Sequence, residues 1–351
     1  MKELITSGRR TVGLDLSDKQ STFVVLDRKG QVVEEGKVRN NRCALEKQFS
    51  GERCRIALEA GCHSPWISRL FLEMGHEVIV ANPRQVALIT KNQRKTDRLD
   101  ALRLARLARV DPQLLSPITH RSKQAQEDLE LLRSREQLVA TRTALINHVR
   151  AVVKSVGERL PACSGPTFHK KVAPAIPEAL RPALAPMLEV IGQVTEKIKA
   201  MDKQVVRLME ERYPVARALM EQLNGVGPLT GLAFVLTIEE PGRFLKSRDV
   251  GAYLGLTRRQ RDSGESTPAL HITKAGDAFV RRLLVQCAHY ILGPFGRDSD
   301  LRQWGLRLVG SSGKKRAITA VARKLAVLMH SLWRTGEIYE PLRQSNALVA
   351  A

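Results

Sequence analysis

From Thr11 to Arg39 apolar and polar residues alternate in three short runs: "TVGLDL", "STFVVLD" and, past an Arg-Lys-Gly turn at 28–30, "QVVEEGKV". Period-two alternation broken by tight turns predicts three strands in an antiparallel meander. "CRIALEA" (54–60) and "HEVIVA" (76–81) predict a fourth and a fifth strand. Between them "SPWISRLFLEM" (64–74) predicts a helix with Ser64 as N-cap and Pro65 at the first helical position. "DRLDALRLARLARV" (97–110) predicts another, with Leu99, Leu102 and Leu107 among its apolar positions. Residues 1–115 therefore read as a mixed α/β domain.

The next stretch has a different rhythm. Over 182–213 Met187, Ile191, Val194, Ile198, Met201, Val205 and Leu208 recur in alternating steps of four and three, the seam of a coiled coil. Over 122–157 Leu131, Leu138, Leu145 and Val152 repeat every seven residues, shadowed by Leu132, Val139, Ile146 and Val153. That wider stripe suits a helix packed on more than one neighbour. The Pro-rich link at 158–182 must turn the chain. Residues 116–218 thus form an antiparallel helical hairpin, an oligomerisation seam, both, or two helices packed only within their own domain. From 219 to 351 the pattern is mainly helical. "LNGVGPLTGLAF" has the form of a helix-hairpin-helix, and Gly225 and Gly227 would let backbone N–H groups approach a phosphate. Short helices and a basic loop fill 243–284, and "KKRAITAVARKLAVLMHSLWRTG" closes the chain as an amphipathic helix.

Composition sharpens this picture. The net charge is +21, of which residues 243–351 carry +11, so the protein is built to meet a polyanion, with nucleic acid the first choice. The five cysteines, Cys43, Cys54, Cys62, Cys163 and Cys287, are scattered without a C-x-x-C pair, which argues against a disulfide framework or a cysteine zinc site. With no apolar signal core and no run of 18 apolar residues, a soluble cytoplasmic protein is expected.

Four carboxylates stand out. Asp15 lies within a predicted strand on the face opposite Leu14 and Leu16, where an unligated acid is costly. Glu59 closes the fourth strand. Asp97 and Asp100 are three apart on a helix and share one face, although Asp97 by itself would also serve as an N-cap. Acids from two strands and one helix can converge to hold hard divalent cations, magnesium or manganese, which polarise a phosphodiester.

The strings "GLDLSDKQ", "ALEAG" and "KTDRLDALRLARL" resemble the RuvC-like branch of the ribonuclease H fold. More specifically, they resemble the DEDD transposases of insertion sequences, bridge-RNA-guided serine recombinases related to Piv-type invertases. The resemblance implies that Asp15, Glu59, Asp97 and Asp100 are the metal-site acids. It continues through Tyr253, Gly255 and Leu256, the pair Ser263-Gly264, then Ile272, Lys274 and Gly276, then Arg281, Arg282 and Leu284. Two departures are "TPALH", without the glycine common before the isoleucine, and Thr273 where serine is usual.

Alone, Ser263-Gly264 is a turn pair. Within this family pattern Ser263 is the expected nucleophile, activated by the metal site or one of its acids. Gly225 and Gly227 are expected to touch phosphate, as are Lys274, Arg281 and Arg282, which would either stabilise the reacting phosphate or anchor the backbone. His63 and His271 could shuttle protons, with structural roles favoured. The resemblance also implies DNA donor and target sites, a non-coding guide RNA, a homo-oligomer (dimer or tetramer), Mg2+ (or Mn2+) and a nucleoid-associated location. The competing functions are a metal-dependent nuclease of the junction-resolvase type that uses water, and a DNA-binding protein without activity.

Overall fold

The computed structural model describes residues 9–85, 96–261, 263, 266, 268 and 270–343, and they divide into two compact units, 1–121 and 122–351. The helical tracts expected at 116–218 share the second unit with the C-terminal part.

In the first unit, strands β1 (Thr11–Asp15), β2 (Gln20–Leu26), β3 (Val32–Arg39), β4 (Arg55–Glu59) and β5 (Glu77–Ala81) form one sheet in the order β3-β2-β1-β4-β5. The meander pairs antiparallel, whereas β4 and β5 run parallel to β1. Asp15 is the last residue of β1 rather than a mid-strand residue.

Strand alternation sorts the side chains onto two layers. Val12, Leu14, Ile56 and Leu58 face helices α1 (Arg42–Phe49) and α2 (Ser64–Glu73), where Phe49 meets Phe23 and Phe71 edge-on. Helix α1 had no counterpart in the sequence reading; Asn41 caps it by accepting from Ala44 N–H at 2.8 Å. Ser64 begins α2 from within: its hydroxyl bonds Gly61 and His120, and His63 precedes the helix without a side-chain cap.

The other face carries α3 (Asp97–Val110). Ala101, Ala105 and Ala108 line the side of α3 turned to the sheet, and small residues there let the helix come close. At Gly13 the approach is complete, for a Cβ would stand 1.9 Å from the Ala101 carbonyl oxygen and 2.6 Å from Ala105 N. Thr96, not Asp97, caps the helix, accepting from Leu99 N–H at 3.3 Å.

In the second unit α4 (Lys123–Ser155) and α6 (Arg181–Arg212) form an antiparallel hairpin, with α5 (Phe168–Val172) in the connection. Val149 and Val153 share a core with Leu184, Leu188 and Ile191, while Leu132 packs with Val205 and Met209. The buried stripe of α6 runs through Leu184, Leu188, Ile191, Thr195, Ile198, Val205, Leu208 and Met209. Ile191, Ile198, Val205 and Leu208 of the predicted seam lie in it, while Met187, Val194 and Met201 are only half-buried and Leu188 and Thr195 are buried beside them. The partner within the chain, α4, decides which side of α6 faces inward.

The remaining helices are α7 (Pro214–Gln222), α8 (Pro228–Ile238), α9 (Asp249–Tyr253), α10 (Ala278–Ile291), α11 (Asp300–Ser312) and α12 (Lys314–Thr335). Every residue of α8 from Thr230 to Ile238 is buried, so α8 is the post around which α4, α6, α7, α10 and α12 share one core. Among the described residues no helix is long and apolar enough to cross a membrane.

Candidate active site and nucleic-acid surface

The acids of the first unit are gathered by topology. Leu14 pairs with Leu58 in parallel register, so Asp15 and Glu59, the next residues, end neighbouring strands side by side. By alternation each shares a face with the residue two before it, Gly13 and Ala57, and that is the face bearing α3.

The direction of α3 follows from its far end. Arg109 lies against Gly30 in the β2–β3 turn, and Arg55 at the start of β4 donates to the Ala108 carbonyl at 2.9 Å. The C-terminal end of α3 therefore lies at the start of β1 and β4, and its first turn lies at their ends. Asp97 and Asp100 in that turn thus join Asp15 and Glu59 at one end and on one face of the sheet. Acids in the first turn also complement the positive end of the helix. Arg98 fastens this turn to β3 through Glu35 at 2.8 Å, and the ion pair holds the Glu35 carboxyl below its usual range.

A divalent cation is the group such a set implies. Carboxylate oxygens suit magnesium or manganese, and four of them share this end of the sheet. Among the described residues no three His, Cys, Asp or Glu side chains are drawn into a ready cage. Asp100 is held by Arg103 at 3.2 Å. The fit is thus one of donor chemistry and placement. Beside the acids, His63 accepts from Trp66 Nε1–H through Nδ1 at 3.1 Å, with Nε2 3.8 Å from Asp18.

In the second unit the basic loop is a hairpin arm. Lys274 N–H donates to Gly255 O (3.1 Å), Thr273 N–H to Thr257 O (2.8 Å) and Arg259 N–H to His271 O (3.0 Å). Further along the arm Ser263 and Ser266 exchange bonds of 3.2 and 3.1 Å. The Arg258–Ile272 and Ser263–Ser266 pairs are both antiparallel but differ by one position in register, and Ser263, in the outermost described pair, is exposed. Gly264 lies outside the described residues.

The separated motifs "YxGL" and "IxKxG" build the base of this arm. Gly276 lies so close to Tyr253 that a Cβ would be 1.9 Å from the Tyr253 carbonyl oxygen. Arg281 donates to the carbonyls of Leu254 (3.1 Å) and Ala275 (2.8 Å), stapling both sides of the base. Arg282 pairs with Glu136 of α4 at 2.7 Å. Lys274 is exposed and sits at φ 53°, a left-handed corner uncommon for a lysine. Arg258, Arg259 and Arg261 are also exposed on the arm. The predicted hairpin between helices is a tight turn from α7 into α8, with Gly225 at φ 92° and Gly227 at the N-cap of α8.

Within the basic C-terminal part, one face is more sharply basic than the overall charge count shows. From Leu301 to Gly336 the chain has eight lysines and arginines and no acid. Arg302 and Arg334 are bonded to backbone carbonyls. Arg307, Lys314, Lys315, Arg316, Arg323 and Lys324 are exposed on α11 and α12. A count of acids along the sequence would have found this face.

Residues 12–157, which hold all four acids, match the DEDD transposase family of IS110 type. Residues 217–297, which hold the arm, match the transposase IS116/IS110/IS902 family. The chain carries both transposase domains of the IS110/IS116 family. It is 26% identical over 337 residues to the transposase for insertion sequence element IS1111A of Coxiella burnetii, covering 94% of this chain and 91% of that protein. It is 27% identical to the transposase for insertion sequence element IS1328 of Yersinia enterocolitica, covering 82% of this chain and 85% of that protein.

Proposed function

We propose that this protein is an insertion-sequence transposase that cuts and rejoins DNA through Ser263. The observation that carries the reading is the exposed serine in the outermost described pair of a basic arm, in a chain with both transposase domains of this family. The Ser263 hydroxyl oxygen attacks phosphorus and a phosphoserine bond to the 5′ side forms as the bond to the 3′ oxygen breaks. The hydroxyl proton passes to a general base, and the departing 3′ oxygen leaves as a hydroxyl after taking up a proton. Attack by another strand's 3′-hydroxyl reverses these steps and frees the serine, so rejoining needs no external energy source.

In this reading Lys274 and the arm's arginines meet the phosphate whose charge grows in the transition state. Arg281 holds the base of the arm rigid, which positions Ser263. Arg282 extends the basic surface, and the turn at Gly225 and Gly227 contacts backbone phosphate without reading sequence. Asp15, Glu59, Asp97 and Asp100 hold a divalent cation that would supply Lewis-acid polarisation of a phosphodiester. An element-encoded guide RNA, assembly into a dimer or tetramer and action at the nucleoid complete the proposal.

The test is covalent trapping on a DNA substrate nicked near the cleavage point, so that rejoining fails. The adduct should map to the peptide containing Ser263 and vanish in Ser263→Ala, while Ser266→Ala retains it. Cleavage with no adduct in the wild type would favour a water-using nuclease, and an adduct on Ser266 would move the nucleophile.

A further inference from the structure

All of the chain's phenylalanines, tyrosines and tryptophans lie among the described residues, and only two of them are exposed. These are Tyr290, 44% exposed, and Phe295, 76% exposed. They sit five positions apart, at the end of α10 and in the turn after it.

The turn is built to keep Phe295 out. Gly296 N–H closes onto Gly293 O at 3.3 Å, leaving Pro294 and Phe295 as the two central residues. Proline is pre-set for the first of these positions. Arg302 clamps the turn by donating to the carbonyls of Ile291 and Gly293, the latter at 2.7 Å. Gly296 packs so tightly that a Cβ would be 2.1 Å from the Ile291 carbonyl oxygen. A turn held at this many points cannot fold over to bury its phenylalanine.

The turn is also tied to the α7–α8 connection, since Arg297 N–H donates to Asn224 Oδ1 at 3.0 Å. Gly225 of that connection lies against the Tyr290 ring, which a Cβ would meet at 3.0 Å. A cleft of about 410 Å³ opens alongside, with Gly225, Arg297 and Tyr339 in its wall. Both exposed aromatics thus border a turn proposed above to touch phosphate, with exposed His289 and Arg297 beside them.

We infer that Phe295 and Tyr290 form a stacking platform for an unpaired nucleobase. A rigid, solvent-facing ring beside a cationic side chain suits an unpaired base, because every base offers it a π-face once unstacked. Arg297 supplies the cation for the neighbouring phosphate. A base inside a duplex is already covered on both faces, so the platform selects single strands, loops and frayed ends. The inference rests on the nucleic-acid reading above but is independent of Ser263 and of the four acids.

The experiment compares the full-length wild type, Phe295→Ala and Phe295→Trp by fluorescence anisotropy. The probes are a short single-stranded DNA, an RNA of the same sequence and a blunt DNA duplex. Phe295→Ala should weaken single-strand binding by about 5- to 150-fold, the range expected for one lost aromatic–base stack. It should leave duplex binding within about twofold, and Phe295→Trp should restore the loss, since a larger ring also stacks. A 2-aminopurine in the single strand should be quenched by the wild type and not by Phe295→Ala. A loss confined to RNA or to DNA identifies the source of the unpaired base, and a loss on both assigns the platform to either.

Unchanged single-strand binding in Phe295→Ala overturns the inference, as does an equal loss on duplex, which would make the residue a wedge between paired bases. Wild type binding the duplex but no single strand would sink the platform and leave the transposase reading standing. Wild type binding none of the three probes would instead count against nucleic-acid binding itself. Because Phe295 is exposed, its removal leaves no cavity, and melting temperature reports fold integrity in all variants.

Discussion

Gly13→Ala tests whether the seat of α3 on β1 governs the acid cluster. The added methyl would stand 1.9 Å from the Ala101 carbonyl oxygen, against about 3.3 Å for a close C···O contact. Both atoms it meets first are backbone, Ala101 O and Ala105 N, so no side chain can rotate away. Val24 and Leu26 pack beside Ala101, Leu102 and Ala105, so the helix must lift by about 1.4 Å or tilt about its C-terminal anchor. Overpacking of this kind costs about 1–3 kcal/mol. For a unit of 121 residues that lowers the melting temperature by about 4–12 °C.

Lifting α3 also carries Asp97 and Asp100 away from Asp15 and Glu59. A misplacement of about 1 Å costs on the order of 100-fold in rate. Calorimetry of the full chain measures the first effect and adduct formation with magnesium the second. Gly51→Ala, where a Cβ meets nothing within 4 Å, is the control and should match wild type in both. Gly13→Ala with wild-type melting and wild-type adduct yield would refute the seating of α3 and the convergence of acids derived from it.

Asp15→Asn should abolish strand exchange yet leave DNA affinity within a few-fold, because the charge lost is an acid; full recombination by this variant in magnesium would remove Asp15 from the metal set. Replacing Lys314, Lys315 and Arg316 together by Gln should flatten the salt dependence of DNA affinity by about 3 in log–log slope, roughly one unit per phosphate contact. An unchanged slope would show that the acid-free stretch from Leu301 to Gly336 does not meet the backbone. The first unit should also lose stability in acid. His76 is buried, accepts from Cys54 N–H at 3.1 Å and faces Phe49 O at 3.0 Å, and burial pushes its pKa below the usual histidine value. With the folded pKa depressed, the unfolded chain takes up the proton first, so stability present above about pH 6.5 declines as pH falls below it. Burial shifts His120 in the same direction. A melting temperature that is flat from neutral pH to about pH 5 would contradict this.

Local chemistry within a few residues was enough to reveal most elements of this protein. The meander, the two later strands, α2 and α3, and the long helices of the hairpin follow from periodicity and turn residues, which act over one or two turns of chain. The charge balance already pointed to a polyanion. The candidate acids and Ser263 were legible because the family motifs around them are contiguous strings.

What tertiary structure decided are the relations between distant segments. Alternation alone could not say that Asp15 and Glu59 end neighbouring parallel strands, because pairing of β1 with β4 is set by burial of both sheet faces. Nor could it say that Gly13 admits α3 with its first turn at that end. The heptad seam of α6 gave Ile191, Ile198, Val205 and Leu208, but that Leu188 and Thr195 are buried in place of Met187 and Val194 was decided by the neighbours packed on it. The arm carrying Ser263 left no period-two signal in the sequence, and its described pairing rests on backbone bonds. Burial was equally unreadable for the aromatics: Phe234 and Phe295 are the same residue type, one inside the post helix α8 and one held in solvent by a clamped turn. Composition assigns a side chain its chemistry, but the neighbours that cover it or leave it open come only from the packed chain.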